Sequence, residues 1–312
     1  MQTILGAGGA IGKELAKALT AYTPDIRIMS RSPKKVNDTD TLFQGDLTNS
    51  NDVNNAVSNS EVAYLTAGIP YDLKVWQKTW PLIMQNVINA CTVSNCRLVF
   101  FDNIYLYSGQ NLNPIKETNT VDPPSKKGKV RNELVQMIWR AVEQRKLQAL
   151  IARCADYYGA SIQNTSLLTE TVIKPLSKGA TANWLISDKH KHSFTYIVDA
   201  GNATALLGNT PNAFGETWHL PTAKNPLTGK EWIELFAREM GVDPKYRVVN
   251  KTMVRIIGMF VPAMRESVEM LYQYNKDYVF DSDKFEQRFS FKPTPYLEGV
   301  RQIVQSDFRK QT

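Results

Sequence analysis

Cysteine and histidine are scarce, with three of each in 312 residues. Cys91, Cys96 and Cys154 form an odd set without metal-ligand spacing, which excludes a disulfide-built scaffold and a cysteine-based metal centre. They are expected to be reduced thiols in a cytoplasmic protein, each a small residue of the core. The three histidines, His190, His192 and His219, read as surface or capping residues rather than catalysts. No apolar run approaches the ~20 residues of a membrane span. A strand-like run begins at residue 2 or 3 and leaves no room for a signal segment, so no membrane partner is expected. Repeats, low-complexity tracts and long runs of one charge are also missing.

Acidic residues are outnumbered 37 to 30, for a net charge of +7, yet the basic residues are scattered. Their densest cluster, Lys126 to Arg131, comes without a helix-turn-helix, zinc or RNA-binding signature, so nucleic acid is not an expected partner. A modest positive field suits small anionic ligands instead. With 43% hydrophobic and 21% charged residues, the chain is an ordinary globular protein, long enough for one large domain or two modest ones.

What the chain does have is glycine in one telling place. Gly6-Ala7-Gly8-Gly9-Ala10-Ile11-Gly12 follows the apolar run Thr3-Ile4-Leu5 and leads into Lys13 to Leu19, where Leu15, Ala18 and Leu19 recur at helical spacing. The glycines at 6, 9 and 12 fit G-x-x-G-x-x-G. Strand, glycine turn and helix place a pyrophosphate on the N–H groups of a helix N-terminus. Gly6, Gly8, Gly9, Ala10, Ile11 and Gly12 are therefore expected to bind a dinucleotide cofactor.

Strand-like and helix-like segments alternate beyond this turn. Strands are expected at 26–29, 41–43, 62–66, 98–101 and 149–153, and long helices at 76–94 and 130–145. That alternation implies an α/β fold, a Rossmann-type doubly wound parallel sheet, with the ligand at the carboxyl ends of the strands. Residues 1–163 are expected to form the nucleotide-binding domain. Residues 164–312 then form a smaller, mainly helical substrate lobe, with about 190–225 returning to the sheet. Helices are expected at 164–178, at 229–240 closed by Gly241, and at 253–274 broken near Pro262.

The second strand runs into Ser30-Arg31-Ser32, with Lys34 and Lys35 close behind and no acid at its end. An NAD site usually offers an Asp or Glu there to the ribose hydroxyls. A guanidinium instead pairs with a 2′-phosphate. Arg31 thus predicts NADP in preference to NAD.

Several motifs in order resemble the extended short-chain dehydrogenase/reductase superfamily, the NAD-dependent epimerase/dehydratase relatives. They are the glycine turn, Gly45-Asp46-Leu47, Leu65-Thr66-Ala67-Gly68, Asn86-Val87 with Ala90-Cys91, Arg153 with Tyr158-Gly159, and Phe194 to Asp199. The resemblance implies adenine contacts at Asp46 and Leu47, cofactor contacts at Ala67 and Gly68, and a homodimer through the two long helices. It also implies a Ser or Thr after the fifth strand and a Tyr-x-x-x-Lys acid/base pair. Here Asn103 stands in the serine slot. Anchoring on Lys129 and Glu133 puts Ser125 in the tyrosine slot, and the only Tyr-x-x-x-Lys, Tyr272 to Lys276, comes too late. Lys129 is left to bind the nicotinamide ribose, Asn103 to orient a substrate oxygen, and Tyr105 or Tyr107 to replace the tyrosine. Tyr105 would share a face with Asn103 if the segment stays extended.

Two functions stay open. One is an oxidoreductase or epimerase that transfers hydride on a small polar carbonyl/hydroxyl substrate, a sugar derivative among the options. The other is a non-catalytic NADP(H)-binding redox sensor or regulator. Asn164, Thr195, Arg265 and Arg288 are the second-lobe residues expected to reach a substrate.

Overall fold

The computed structural model describes residues 1–160, 162 and 166–308. In chain order the first elements are β1 (Gln2–Leu5), α1 (Ala10–Leu19), β2 (Ile26–Ser30), β3 (Thr41–Gln44), α2 (Ser50–Val57), β4 (Val62–Leu65), α3 (Leu73–Val93), β5 (Arg97–Asp102), α4 (Lys126–Glu143) and β6 (Ala149–Arg153). There follow β7 (Asp156–Tyr158), α5 (Lys174–Ser177), β8 (Ala182–Leu185), β9 (Phe194–Tyr196), α6 (Ile197–Gly208), β10 (Thr217–His219), α7 (Gly229–Met240) and β11 (Tyr246–Val249). The chain closes with α8 (Lys251–Gly258), α9 (Pro262–Ser267), α10 (Asp283–Phe289) and α11 (Tyr296–Ile303). Two compact units result, one of residues 1–107, 125–154 and 198–220, the other of 108–124, 155–197 and 221–312.

The first unit is built on a seven-stranded sheet in the order β10-β6-β5-β4-β1-β2-β3, with every pair parallel. Every residue of β1, β4 and β6 is buried, as a parallel strand covered on both faces requires. The strand order reverses at β1, which lies between β2 and β4. This switch point opens a crevice at the carboxyl edge, where doubly wound sheets bind ligands. The seventh strand, β10, brings His219 alongside Arg153, which in turn lies alongside Asp102.

Two helices of this unit start earlier than periodicity indicates, and a cap explains each. The Asp72 carboxylate accepts from Val75 N–H at 3.0 Å, so α3 begins at Leu73. Ser125 Oγ accepts from Gly128 N–H at 2.9 Å, so α4 begins at Lys126.

The second unit carries two small parallel sheets, β7 with β9 and β8 with β11. Its core is aromatic, with Trp232 of α7 packed 5.2 Å from Phe194, 5.4 Å from Tyr158 and 4.7 Å from Tyr296, ring centre to ring centre. Of the helix expected over 164–178, residues 164 and 165 lie outside the described residues, and the helical run starts at Leu167. It passes through a π turn at Thr169–Ile173 into α5, and the chain turns away at Gly179 with φ +66°. The helical run after Met253 breaks before Pro262, as that residue demands. Among the described residues, no helix is long and apolar enough to cross a membrane, and no cluster of His, Cys, Asp and Glu can hold a metal ion.

Candidate functional site

The carboxyl edge of the sheet gathers the functional residues of the first unit. At its switch point the glycine turn leaves β1, with the Gly6 and Ala7 N–H groups both donating to Met29 C=O, at 3.0 and 3.2 Å. Gly6 has φ +83°, and a Cβ there would lie 2.5 Å from Ala67. A Cβ on Gly12 would lie 2.7 Å from Ala7 Cα. These two glycines close the turn against its neighbours. Gly8 and Gly9 differ, since a Cβ on either meets nothing within 4 Å. Gly9 caps α1 with no side-chain acceptor, and no acid stands in the first turn. The open cradle therefore offers N–H groups and a positive helix end. Beside it, Thr66 Oγ1 is buried at the end of β4 without a hydrogen-bond partner. These features fit the pyrophosphate of a dinucleotide.

Arg31 is exposed just past β2. The acid nearest in sequence to the end of β3 is Asp46, and it is engaged. Its Oδ1 accepts from both the N–H and the hydroxyl of Thr48, each at 2.8 Å. These bonds, and more weakly the Arg31 charge, hold its carboxyl below the usual range. Leu47 C=O accepts from the Asn86 side chain at 3.0 Å, which fixes this segment to α3.

After β5 the chain does not stay extended. Asn103 Oδ1 accepts from Tyr105 N–H at 3.1 Å, and Tyr107 N–H donates to Ile104 C=O at 3.0 Å. This turn breaks the alternation that would have put Asn103 and Tyr105 on one face. Tyr105 stacks on Trp76 instead, at 6.5 Å and 19°. Trp76 also meets Tyr71 edge-on at 5.6 Å, and the Lys127 ammonium lies over the Tyr71 ring at 4.6 Å.

Lys127 was not anticipated from the sequence. It is 1% exposed, whereas Lys129 is exposed, because α4 turns its 127, 131 and 134 face inward. Had the Ser125 cap been used as the helix start, that spacing would have singled out Lys127. Ser125 itself, 2% exposed, spends its hydroxyl on the cap. The basic cluster Lys126 to Arg131 is consequently no continuous surface, with Lys127 and Arg131 both buried.

Below this edge lies a buried ionic network that sequence reasoning missed. Asp102 accepts from Arg131 Nε at 2.8 Å and from Arg153 Nη2 at 2.9 Å. Arg131 is sandwiched between the rings of Trp80 and Phe100, at 4.9 and 4.6 Å. Burial alone would draw Arg153 down, but Tyr107 and Asp102 outweigh it and keep the guanidinium above its ordinary range. His219, expected as a surface or capping residue, ends β10 fully buried with Nε2 2.7 Å from the Tyr107 hydroxyl. An acid closing an apolar strand was the one available signal for this network.

In the second unit, His192 is also buried rather than exposed. It stacks between Tyr274 and Tyr278, at 4.5 and 4.3 Å, and Nε2 lies 3.0 Å from Asp156. His190 alone fits the expectation, half-exposed beside Asp277. The late Tyr-x-x-x-Lys is no activated pair. Burial pushes Tyr272 up to about 12, and Lys276 donates to Gly109 C=O at 3.0 Å. Thr195 is wholly buried against Thr222, Arg265 is exposed, Arg288 lies over Phe289, and Asn164 is outside the described residues.

A doubly wound sheet with an open glycine cradle at its switch point defines a dinucleotide-fold protein. Residues 3–220 match the model of the NAD dependent epimerase/dehydratase family, and the chain belongs to that family. No curated protein matches the sequence. Among solved structures, it is similar to a dTDP-glucose 4,6-dehydratase from Streptomyces venezuelae, solved with NAD bound, at TM-score 0.81 and 15% identity, covering 98% of this chain and 96% of that one. It is similar as well to the UDP-glucose 4-epimerase of Thermus thermophilus in complex with NAD, at TM-score 0.79 and 16% identity over the whole of both chains. A UDP-glucuronic acid 4-epimerase from Bacillus cereus, also with NAD, gives TM-score 0.79 at 18% identity, covering 98% of this chain and 99% of that one.

Proposed function

We propose that the protein is an NADP(H)-dependent oxidoreductase or epimerase acting on a polar carbonyl/hydroxyl substrate of the sugar-derivative class. The observation that carries this reading is the open cradle over Gly8 and Gly9, with Arg31 exposed just past β2 and the Asp46 carboxylate engaged by Thr48. The nucleotide-sugar chemistry named for the similar structures supports the substrate class. A bound nicotinamide supplies hydride donation and acceptance. The backbone of the cradle holds its pyrophosphate, and Arg31 pairs with the 2′-phosphate. Lys127, rather than Lys129, holds the ribose beside the reacting ring, because only Lys127 faces inward. Asn103 has its side-chain oxygen engaged by Tyr105 N–H, which leaves the amide N–H groups to donate to a substrate oxygen. A phenol of the same cluster carries the proton. Tyr71, whose ring Lys127 faces, joins Tyr105 in that role.

The redox-sensor reading draws support from the missing phenol, since Pro123 stands four residues before Lys127 and Ser125, four before Lys129, caps a helix. Titrating the six tryptophans' fluorescence with NADPH and NADH tests the cofactor assignment. NADPH should bind more tightly, and Arg31→Asp should cost at least about tenfold in its affinity, the loss of one charge-assisted pair. Binding of neither cofactor sinks both readings. Binding without hydride transfer across a panel of sugar and simple carbonyls selects the sensor.

A further inference from the structure

At the amino edge of the sheet, opposite the cradle, α3 ends in a two-bond cap. Cys96 N–H donates to Cys91 C=O at 2.8 Å and Asn95 N–H to Thr92 C=O at 3.3 Å, with Asn95 at φ +48°. This is a Schellman arrangement, in which the side chains flanking the outer bond meet, normally as an apolar pair. Here both are thiols. The Cys96 thiol donates to Arg97 C=O at 3.5 Å, it lies near enough to the Cys91 thiol to act on its ionisation, and both side chains are nearly fully buried. The 2.8 Å bond, with covalent geometry on either side, keeps the two Cα atoms within the ~4.4–6.8 Å span of a disulfide. Both cysteines also line a pocket of about 270 Å³ with Glu61, Arg97 and Lys146 on its walls. Arg97 and Lys146 outnumber the Glu61 carboxylate on these walls, a balance that suits a reagent bearing carboxylates.

We propose that Cys91 and Cys96 are a modification site, a dithiol converted to a disulfide by anionic low-molecular-weight disulfides of the glutathione type. The Cys96 thiolate attacks one reagent sulfur, and the displaced thiol leaves with the first proton. The Cys91 thiol then attacks the Cys96 sulfur, releasing a second reagent thiol with the second proton. Two protein S–H bonds and one reagent S–S bond give way to one protein S–S bond and two reagent S–H bonds. Cys96 is the entry point, since the neighbouring Cys96 side chain and burial both push the Cys91 thiol up. Cys154 takes no part. It follows β6, and its N–H donates to Asp102 C=O at the opposite edge.

The test uses the full native chain incubated with excess oxidised glutathione, then denatured for thiol counting and digested with trypsin. The wild type should fall from three free thiols to one. The peptide ending at Arg97, which carries both cysteines, should be two hydrogens lighter. Cys91→Ser should stall as a glutathione adduct on Cys96, and Cys96→Ser should keep both remaining thiols. Retention of all three thiols in the wild type overturns the proposal, as does a lasting glutathione adduct or a bridge to Cys154. If a serine variant does not fold, the wild-type count and peptide mass decide alone. None of these readouts depends on cofactor binding or turnover.

Discussion

Arg153 donates through Nη1 to the Tyr107 hydroxyl at 2.7 Å, and that same oxygen lies 2.7 Å from His219 Nε2. The hydroxyl is therefore the junction of three segments, the end of β6, the turn after β5 and the end of β10. With Asp102 shared between Arg131 and Arg153, one carboxylate holds two buried guanidinium groups. The network fixes the turn that presents Asn103 and Tyr105, so its integrity precedes any chemistry at this edge.

Asp102→Asn should be severely destabilising. The carboxylate is 1% exposed, and removing its charge leaves two buried cations without compensation. Breaking a buried pair in this way costs about 3–5 kcal/mol. Urea unfolding should show the midpoint fall at unchanged slope. A loss under about 1 kcal/mol would mean that the guanidiniums find other acceptors or water.

Tyr107→Phe probes the junction without touching the charges. It strips a partner from Arg153 and from His219 at once, so a cost of about 1–3 kcal/mol is expected from the unsatisfied buried groups. Thermal unfolding of this variant and of His219→Phe, singly and together, gives their coupling. Strict additivity would deny that the two rings act through one bond.

The sheet was legible because each parallel strand is a short apolar run and each crossover helix carries a 3.6 period. The glycine turn was legible because its neighbours, Thr3 to Leu5 and Leu15 to Leu19, supply the strand and helix that give it meaning. Lys127 was hidden because two lysines flank Gly128, and only the α4 start decides which one faces inward. The contacts of Tyr71, Arg131 and Tyr107 were hidden for a different reason. Their partners lie 56, 29 and 112 residues away, at Lys127, Asp102 and His219, and no local spacing encodes such pairs.

Gly6→Ala and Gly8→Ala should behave oppositely. Alanine at 6 must adopt φ +83° and push into Ala67, for about 2–5 kcal/mol of strain and overpacking together. Alanine at 8 meets nothing, so melting should stay within about 0.5 kcal/mol of wild type. Its methyl would instead stand in the cradle. Reduced NADPH affinity at unchanged stability is the expected signature, read by fluorescence titration.

Lys127→Met and Lys129→Met separate the two lysines. The exposed Lys129 should be replaceable within about 0.5 kcal/mol and without effect on cofactor affinity. Loss of Lys127 should weaken NADPH binding while the fold survives, since methionine fills a similar volume against Tyr71. Equal effects of the two substitutions would remove Lys127 from the site.

Acid should weaken the second unit through the start of α7. Thr228 and Glu231 form a reciprocal cap, with Glu231 Oε2 accepting from Thr228 N–H at 2.7 Å and from its hydroxyl at 2.8 Å, while Thr228 Oγ1 accepts from Glu231 N–H at 3.3 Å. The bonds from Thr228 draw the Glu231 carboxyl below its ordinary value of 4.5. A carboxyl depressed in the folded state stabilises fully above its unfolded value, and that contribution is lost as pH falls through the folded one. Glu231→Gln should therefore be less stable than wild type at pH 7, with the gap closing below about pH 4 as Glu231 takes up its proton. Thr228→Ala, which removes the hydroxyl half of the cap, should cost about 1 kcal/mol. Urea midpoints for the three proteins at neutral and acid pH decide the matter, and a gap that does not narrow on acidification would remove the Glu231 charge from the cap.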